Sequence, residues 1–111
     1  MGGLVKGDVI VLPFPFSDLT QAKRRPALVV ATLAGDDVIL CQITSQAVQD
    51  DYAIPLAATD FQTGRLKHSS NIRPNRLFTA DQRIILYRVG GLLLRKLTEV
   101  KQAIIRIIEQ P

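Results

Sequence analysis

The run Ala27-Leu28-Val29-Val30-Ala31, the turn Leu33-Ala34-Gly35-Asp36-Asp37 and the run Val38-Ile39-Leu40-Cys41-Gln42-Ile43 decide how this chain folds. The first run is wholly apolar and suits a strand covered on both faces. Gly35 tolerates the positive φ that a tight connection needs. Two strands joined by so short a turn form an antiparallel hairpin, in which the start of the first strand lies beside the end of the second. The hairpin therefore predicts that Arg25, entering the first strand, meets Thr44, leaving the second. A slip of register would separate them.

Upstream, Val9 to Leu12 follows the turn signal Gly7-Asp8 and reads as a strand, which Pro13-Phe14-Pro15 is expected to end. Ser17 to Arg25 is polar and basic and reads as an exposed loop carrying Asp18, Lys23, Arg24 and Arg25. Downstream, Gln46 to Tyr52 reads as polar loop, Ala53 to Leu56 as a weak strand and Ala58 to Ser70 as a long surface loop. Asn71 to Thr79 is extended, with Pro74 confining it to an edge or splitting it. Asp81 to Tyr87 fits a helical turn or a strand. Arg88 to Leu92 reads as a last strand that Gly90-Gly91 can bend. From Leu94 to Gln110 the residues Leu94, Leu97, Val100, Ala103, Ile104, Ile107 and Ile108 make one apolar stripe at helical spacing, with Lys96 and Glu99 off it. Five to seven short strands and one terminal helix predict a mainly β fold, a small SH3-like barrel with a C-terminal amphipathic helix, occupying residues 1–111 as one domain.

Fourteen Lys and Arg against ten Asp and Glu leave a charge of +4, which favours anionic partners. Cys41 is the only cysteine, so no internal disulfide and no cysteine-based metal site can form, and it reads as a small core residue. With one His, one Cys and no calcium-loop spacing, neither a metal nor a cofactor is expected. There is no Gly-rich phosphate loop and no G-x-S-x-G elbow. The N-terminus lacks a secretion signal, and no segment reaches the ~20 apolar residues of a membrane span. A soluble, cytoplasmic protein is the expectation. His68 reads either as an exposed histidine without a task or as a general base.

The remaining chemistry lies in Arg24-Arg25-Pro26 and Ile43-Thr44-Ser45-Gln46. Pro26 biases Arg25 towards an extended backbone at a strand mouth. A guanidinium fork grips two phosphate oxygens and stays charged at any working pH. A neighbouring hydroxyl adds a hydrogen bond to charge developing in a transition state. RNA brings its own nucleophile, the 2′-hydroxyl, so phosphodiester cleavage here needs neither a metal nor a reactive side chain. The plainer reading makes Arg24 and Arg25 solvated charges and Thr44 a strand-end residue.

With these residues in view, the sequence resembles the MazF/PemK family of toxin endoribonucleases. The resemblance rests on Lys6-Gly7-Asp8-Val9-Ile10, Arg25-Pro26-Ala27-Leu28-Val29-Val30 and Ile43-Thr44-Ser45-Gln46. Weaker matches are Leu77-Phe78-Thr79-Ala80-Asp81 and Val89-Gly90-Gly91-Leu92. It implies a two-fold homodimer and metal-independent, sequence-selective cleavage of single-stranded RNA to 2′,3′-cyclic phosphate and 5′-hydroxyl ends. It also implies a cognate antitoxin protein that blocks the site. Arg25 and Thr44 match the family's catalytic arginine and hydroxyl, and Lys23, Arg24, Ser45 and Gln46 would hold RNA.

Two departures stand out. Thr20-Gln21-Ala22 replaces a Glu-Gln-Ala run, removing a glutamate that could act as base. Asp18 either substitutes for it or is a turn residue. Phe78 stands where many members carry an arginine, a charge that Arg73 or Arg76 could supply. Because a guanidinium holds its proton so firmly, Arg25 reads as a charge stabiliser rather than a general acid. Phe14 or Phe16 could stack an unpaired base, although aromatics between prolines at a strand end are more often core or dimer contacts. Two other readings are a CcdB-like toxin that binds a protein such as DNA gyrase, and an RNA-binding barrel without catalysis.

Overall fold

A computed structural model describes residues 3–15 and 22–111. Seven strands, β1 (Asp8–Pro15), β2 (Ala22–Thr32), β3 (Asp37–Thr44), β4 (Ile54–Leu56), β5 (Phe61–Gly64), β6 (Ser70–Asp81) and β7 (Tyr87–Leu92), precede one helix, α1 (Leu94–Glu109). They form a single curled antiparallel sheet in the order β4-β6-β3-β2-β1-β7-β5. The fold is mainly β with one C-terminal helix.

The β2–β3 hairpin is as the sequence predicts. Gly35 takes φ 78°, and the Leu33 amide donates to the Asp37 carbonyl at 3.0 Å to close the turn. Alternation along these strands feeds two cores. Leu28, Cys41 and Ile43 join Val9, Ile72, Val100 and Ala103 on the α1 side. Val29, Val38 and Leu40 join Ile10, Leu12, Ala80 and Ile85 on the other. Both faces of the central strands are buried, which is why they read as unbroken apolar runs. Cys41 is fully buried, its thiol donates to the Arg73 carbonyl at 3.0 Å, and burial pushes its pKa up to about 12. It is a core residue.

Four expectations are corrected. First, Pro13-Phe14-Pro15 does not end β1, which runs on to Pro15 opposite Ala22. The Val11 carbonyl accepts from the Leu86 amide on the β7 side, and alternation gives Pro13 and Pro15 the same orientation. β7 accompanies β1 only as far as Val11, so the missing N–H groups face an edge that needs no donor. Second, Ala22 to Arg25 is therefore strand, not loop, for the same pairing holds it.

Third, Ala58 to Ser70 contains a 3₁₀ turn over Ala58–Asp60 and strand β5, which pairs with β7. That pairing depends on two glycines. A Cβ on Gly64, whose φ is +71°, would meet the Val89 carbonyl and lie 2.8 Å from the Gly90 Cα, and a Cβ on Gly90 would meet the Thr63 carbonyl. The bend expected at Gly90-Gly91 is this close backbone crossing. Fourth, the helix runs as predicted, but its stripe is rotated. Lys96, Val100 and Ala103 are buried, whereas Leu94 and Ile108 are 75% and 71% exposed. Lys96 faces inwards because its Nζ donates to the Pro55 carbonyl at 3.2 Å and to Glu99 at 2.9 Å, and lies 3.7 Å from Asp60.

Pro74 interrupts β6 without ending it. Cys41 pairs with Leu77 but Gln42 with Arg73, so Pro74, Asn75 and Arg76 bulge out of the ladder. Asp81 to Tyr87 is a 3₁₀ turn over Gln82–Ile84 followed by the start of β7.

Candidate active site

β2 and β3 pair with Ala27 opposite Gln42, and the same register carried two residues further sets Arg25 opposite Thr44. Thr44 in turn pairs with Asn71 of β6. Arg25, Thr44 and Asn71 thus form a row across three strands at one end of the sheet. Arg25 also sits opposite Leu12 of β1, which holds its backbone from the other side. Arg25 and Thr44 line one cleft at that end.

The row opens into a cleft of about 600 Å³ lined by Lys23, Arg24, Arg25, Thr44, Ser45 and Gln46. Arg65, Lys67 and His68, from the segment between β5 and β6, line it too, together with Tyr87 of β7. Five cations therefore converge, Lys23, Arg24, Arg25, Arg65 and Lys67, while no Asp or Glu stands among the described lining residues. Low-dielectric walls bearing one sign of charge focus the potential and draw anions in.

Thr44 is nearly buried, and its Oγ1 accepts a hydrogen bond from the Gln46 amide at 3.1 Å. A hydroxyl held as an acceptor keeps its own proton to donate. Thr44, with that proton, and the half-buried Arg25 line the same cleft. Ser45 and Gln46 are exposed at the rim, as are Lys23 and Arg24.

Asp18 and Phe16 lie outside the described residues. Phe14 is packed edge-on against Phe78, with ring centroids 5.3 Å apart, as a packing contact would be. Neither Arg73 nor Arg76 lines the cleft. Arg73 instead donates to Asp50 at 3.0 Å, and Asn75 reaches the same carboxylate at 3.4 Å, tying the 46–52 loop to the β6 bulge. Burial pushes the Asp50 carboxyl up, but the Tyr52 and Ala53 amides with Arg73 and Asn75 hold it below its ordinary value overall.

Sequence reasoning passed over Arg65 and Tyr87 and left Lys67 and His68 on a surface loop. The basic run Arg65-Leu66-Lys67-His68 was visible, but nothing local ties it to residues 25 and 44. Pairing of β5 with β7 and of β6 with β3 makes that connection. Among the described residues no group of three or more His, Cys, Asp or Glu side chains comes together as a metal site would require. No helix among them is long and apolar enough to cross a membrane.

A family model described as PemK-like, MazF-like toxin of type II toxin–antitoxin system matches residues 5–108. The chain belongs to this toxin family. Solved structures with the MazF-like fold agree over nearly the whole length. An endoribonuclease in complex with its cognate antitoxin from a mycobacterial species superposes with a TM-score of 0.77 at 12% identity, covering 98% of both chains. The MazE–MazF complex from Deinococcus radiodurans gives 0.76 at 19% identity, covering 97% of this chain and 98% of that one. MazF alone from the same organism gives 0.75 at 22%, covering 96% and 97%. No curated protein sequence matches. In this MazF-like chain the motifs that carried the resemblance also have structural tasks. Asp8 of Lys6-Gly7-Asp8 is buried, accepts from the Val5 amide at 2.9 Å and pairs with Arg88 at 2.9 Å, anchoring β1 to β7.

Proposed function

We propose that this toxin-family chain is an endoribonuclease that cuts single-stranded RNA in the Arg25–Thr44 cleft. The observation that carries the reading is the convergence of Arg25, Thr44, Lys23, Arg24, Arg65 and Lys67 on one cleft. Such a surface suits a polyanion, and an unpaired strand can splay its bases into a cleft of this kind. Lys23, Arg24, Ser45 and Gln46 bind backbone and base edges. Arg25 stabilises the charge that builds on the phosphoryl oxygens as the 2′-oxygen attacks, and the Thr44 hydroxyl donates to the same oxygens. The products are a 2′,3′-cyclic phosphate and a 5′-hydroxyl.

The same reading makes a cognate antitoxin the physiological inhibitor. It also makes a two-fold dimer the working unit, since Leu94, Ile105 and Ile108 of α1 leave apolar surface to bury beside Val30 and Leu77. Light scattering at micromolar concentration tests the dimer, and a monomer there removes it. The decisive experiment incubates purified RNA with the protein in EDTA and analyses the end groups. New fragments with cyclic phosphate ends support the reading. RNA that shifts on a gel but stays whole leaves only a binding barrel.

A further inference from the structure

We infer that His68 is the general base of the cleft, the group that takes the proton from the attacking 2′-hydroxyl. The inference rests on the ribonuclease reading and assigns it a base among the described residues. Cleavage by a 2′-oxygen requires that oxygen to lose a proton, and neither guanidinium nor ammonium can accept one. Among the described residues lining the cleft, Lys23, Arg24 and Arg25 from β2, Arg65 and Lys67 from the 65–69 segment and Tyr87 from β7 are the other charged or titratable groups. None of these residue types ordinarily exchanges a proton between about pH 5 and 8, whereas imidazole does.

Position supports the same assignment. Asn71 lies opposite Thr44, so the chain three residues before it overhangs the end of the sheet where Arg25 and Thr44 stand. The Ser70 hydroxyl donates to the His68 carbonyl at 2.9 Å and holds that turn in shape. His68 also borders a second depression, of about 500 Å³, whose lining includes Phe61, Arg65 and Ser69. His68 is thus shared by both hollows, as are Arg65 and Lys67 beside it.

The step balances without a further reagent. His68 accepts the 2′-hydroxyl proton as the 2′-oxygen bonds to phosphorus. The bond from phosphorus to the 5′-oxygen of the next nucleotide breaks, and that oxygen takes a proton from water. The hydroxide left behind is neutralised by the proton that the imidazolium gives back.

Single-turnover cleavage of a short RNA, measured from pH 5 to 8, tests the inference. The parent's rate is expected to rise with pH and level off within the range where imidazoles titrate. His68→Gln is expected to slow cleavage by about 10²–10⁴-fold and to lose that rise. It should still bind a non-cleavable strand bearing 2′-deoxyribose at the cut position within about twofold. Imidazole added to His68→Ala should restore part of the rate, which a purely structural role would not allow. His68→Gln cutting within about threefold of the parent, with the rise intact, overturns the inference and leaves the ribonuclease reading standing. So does a rate that falls with pH over that range, or lost binding without imidazole rescue. A parent that cuts no RNA at any pH overturns both.

Discussion

The molecule places charges of the same kinds in two regions and uses them oppositely. In the cleft, Lys23, Arg24, Arg25, Arg65 and Lys67 gather where no described lining residue is acidic. At the foot of α1, Arg95 and Lys96 close on Asp60, with Arg95 donating at 3.2 Å and Lys96 lying 3.7 Å away, and Glu99 meets Lys96 at 2.9 Å. Asp60 also accepts from the Ala57 amide at 2.8 Å. Burial pushes the Asp60 carboxyl up, but the Ala57 amide, Lys96 and Arg95 together hold it below its ordinary value. Concentrated like charge draws anions in and marks a candidate site. Matched charge around a buried carboxylate fastens one element to another.

Replacement experiments can break or sharpen this contrast. The largest effect is expected from Arg25→Ala, which should slow RNA cleavage by about 10²–10³-fold while the melting temperature holds, as loss of one preorganised donor does elsewhere. Cleavage at the parent rate would displace the site. Next comes Gly64→Ala, where left-handed strain and overlap with β7 together should cost about 3 kcal/mol, roughly 12 °C in melting temperature. Because β5 leads into the cleft-lining residues Arg65 to His68, cleavage should weaken with it, and calorimetry with an activity assay on one sample would show whether they move together.

Asp60→Asn should reverse the pattern of Arg25→Ala, losing about 2 kcal/mol of stability while cleavage at low temperature persists. A carboxyl held below its ordinary value contributes stability that is complete above 3.8 and lost as pH falls beneath it. The gap between parent and variant should therefore be full near neutrality and close in acid, as denaturant titrations at several pH values would reveal. Arg65→Ala should flatten the salt dependence of RNA binding, lowering the slope of log K against log salt by about 0.7 if it neutralises one phosphate. The smallest effect belongs to Arg83→Ala. The Arg83 side chain, hydrogen-bonded to Asp81, holds that carboxyl at about 2. Its removal should return the Asp81 titration towards 3.8 in a carboxyl NMR experiment.

How much was legible depended on how local each signal was. The β2–β3 hairpin and α1 announce themselves through apolar runs, a glycine turn and helical periodicity, all within short windows. Arg25 and Thr44 followed because a hairpin register links them directly. Pro13 and Pro15 misled because the rule against proline holds for strands paired on both sides, and β1 has lost β7 by that point. Lys96 misled because its type suggests solvent, while the Pro55 carbonyl and the Asp60 carboxylate that draw it inwards lie dozens of residues away. β5 was hidden because a strand of four residues rich in polar side chains carries almost no periodic signal.

By itself, the sequence determined the strand-forming runs, the terminal helix and the pairing that brings a guanidinium to a hydroxyl, since each depends on neighbours along the chain. Only the tertiary structure decided which helical face turns inwards, which prolines a strand can hold, and that Arg65, Lys67 and His68 line the same cleft as Arg25 and Thr44. Those outcomes depend on which backbone donors still need a partner and which charges find one, and these are settled only when distant strands pair.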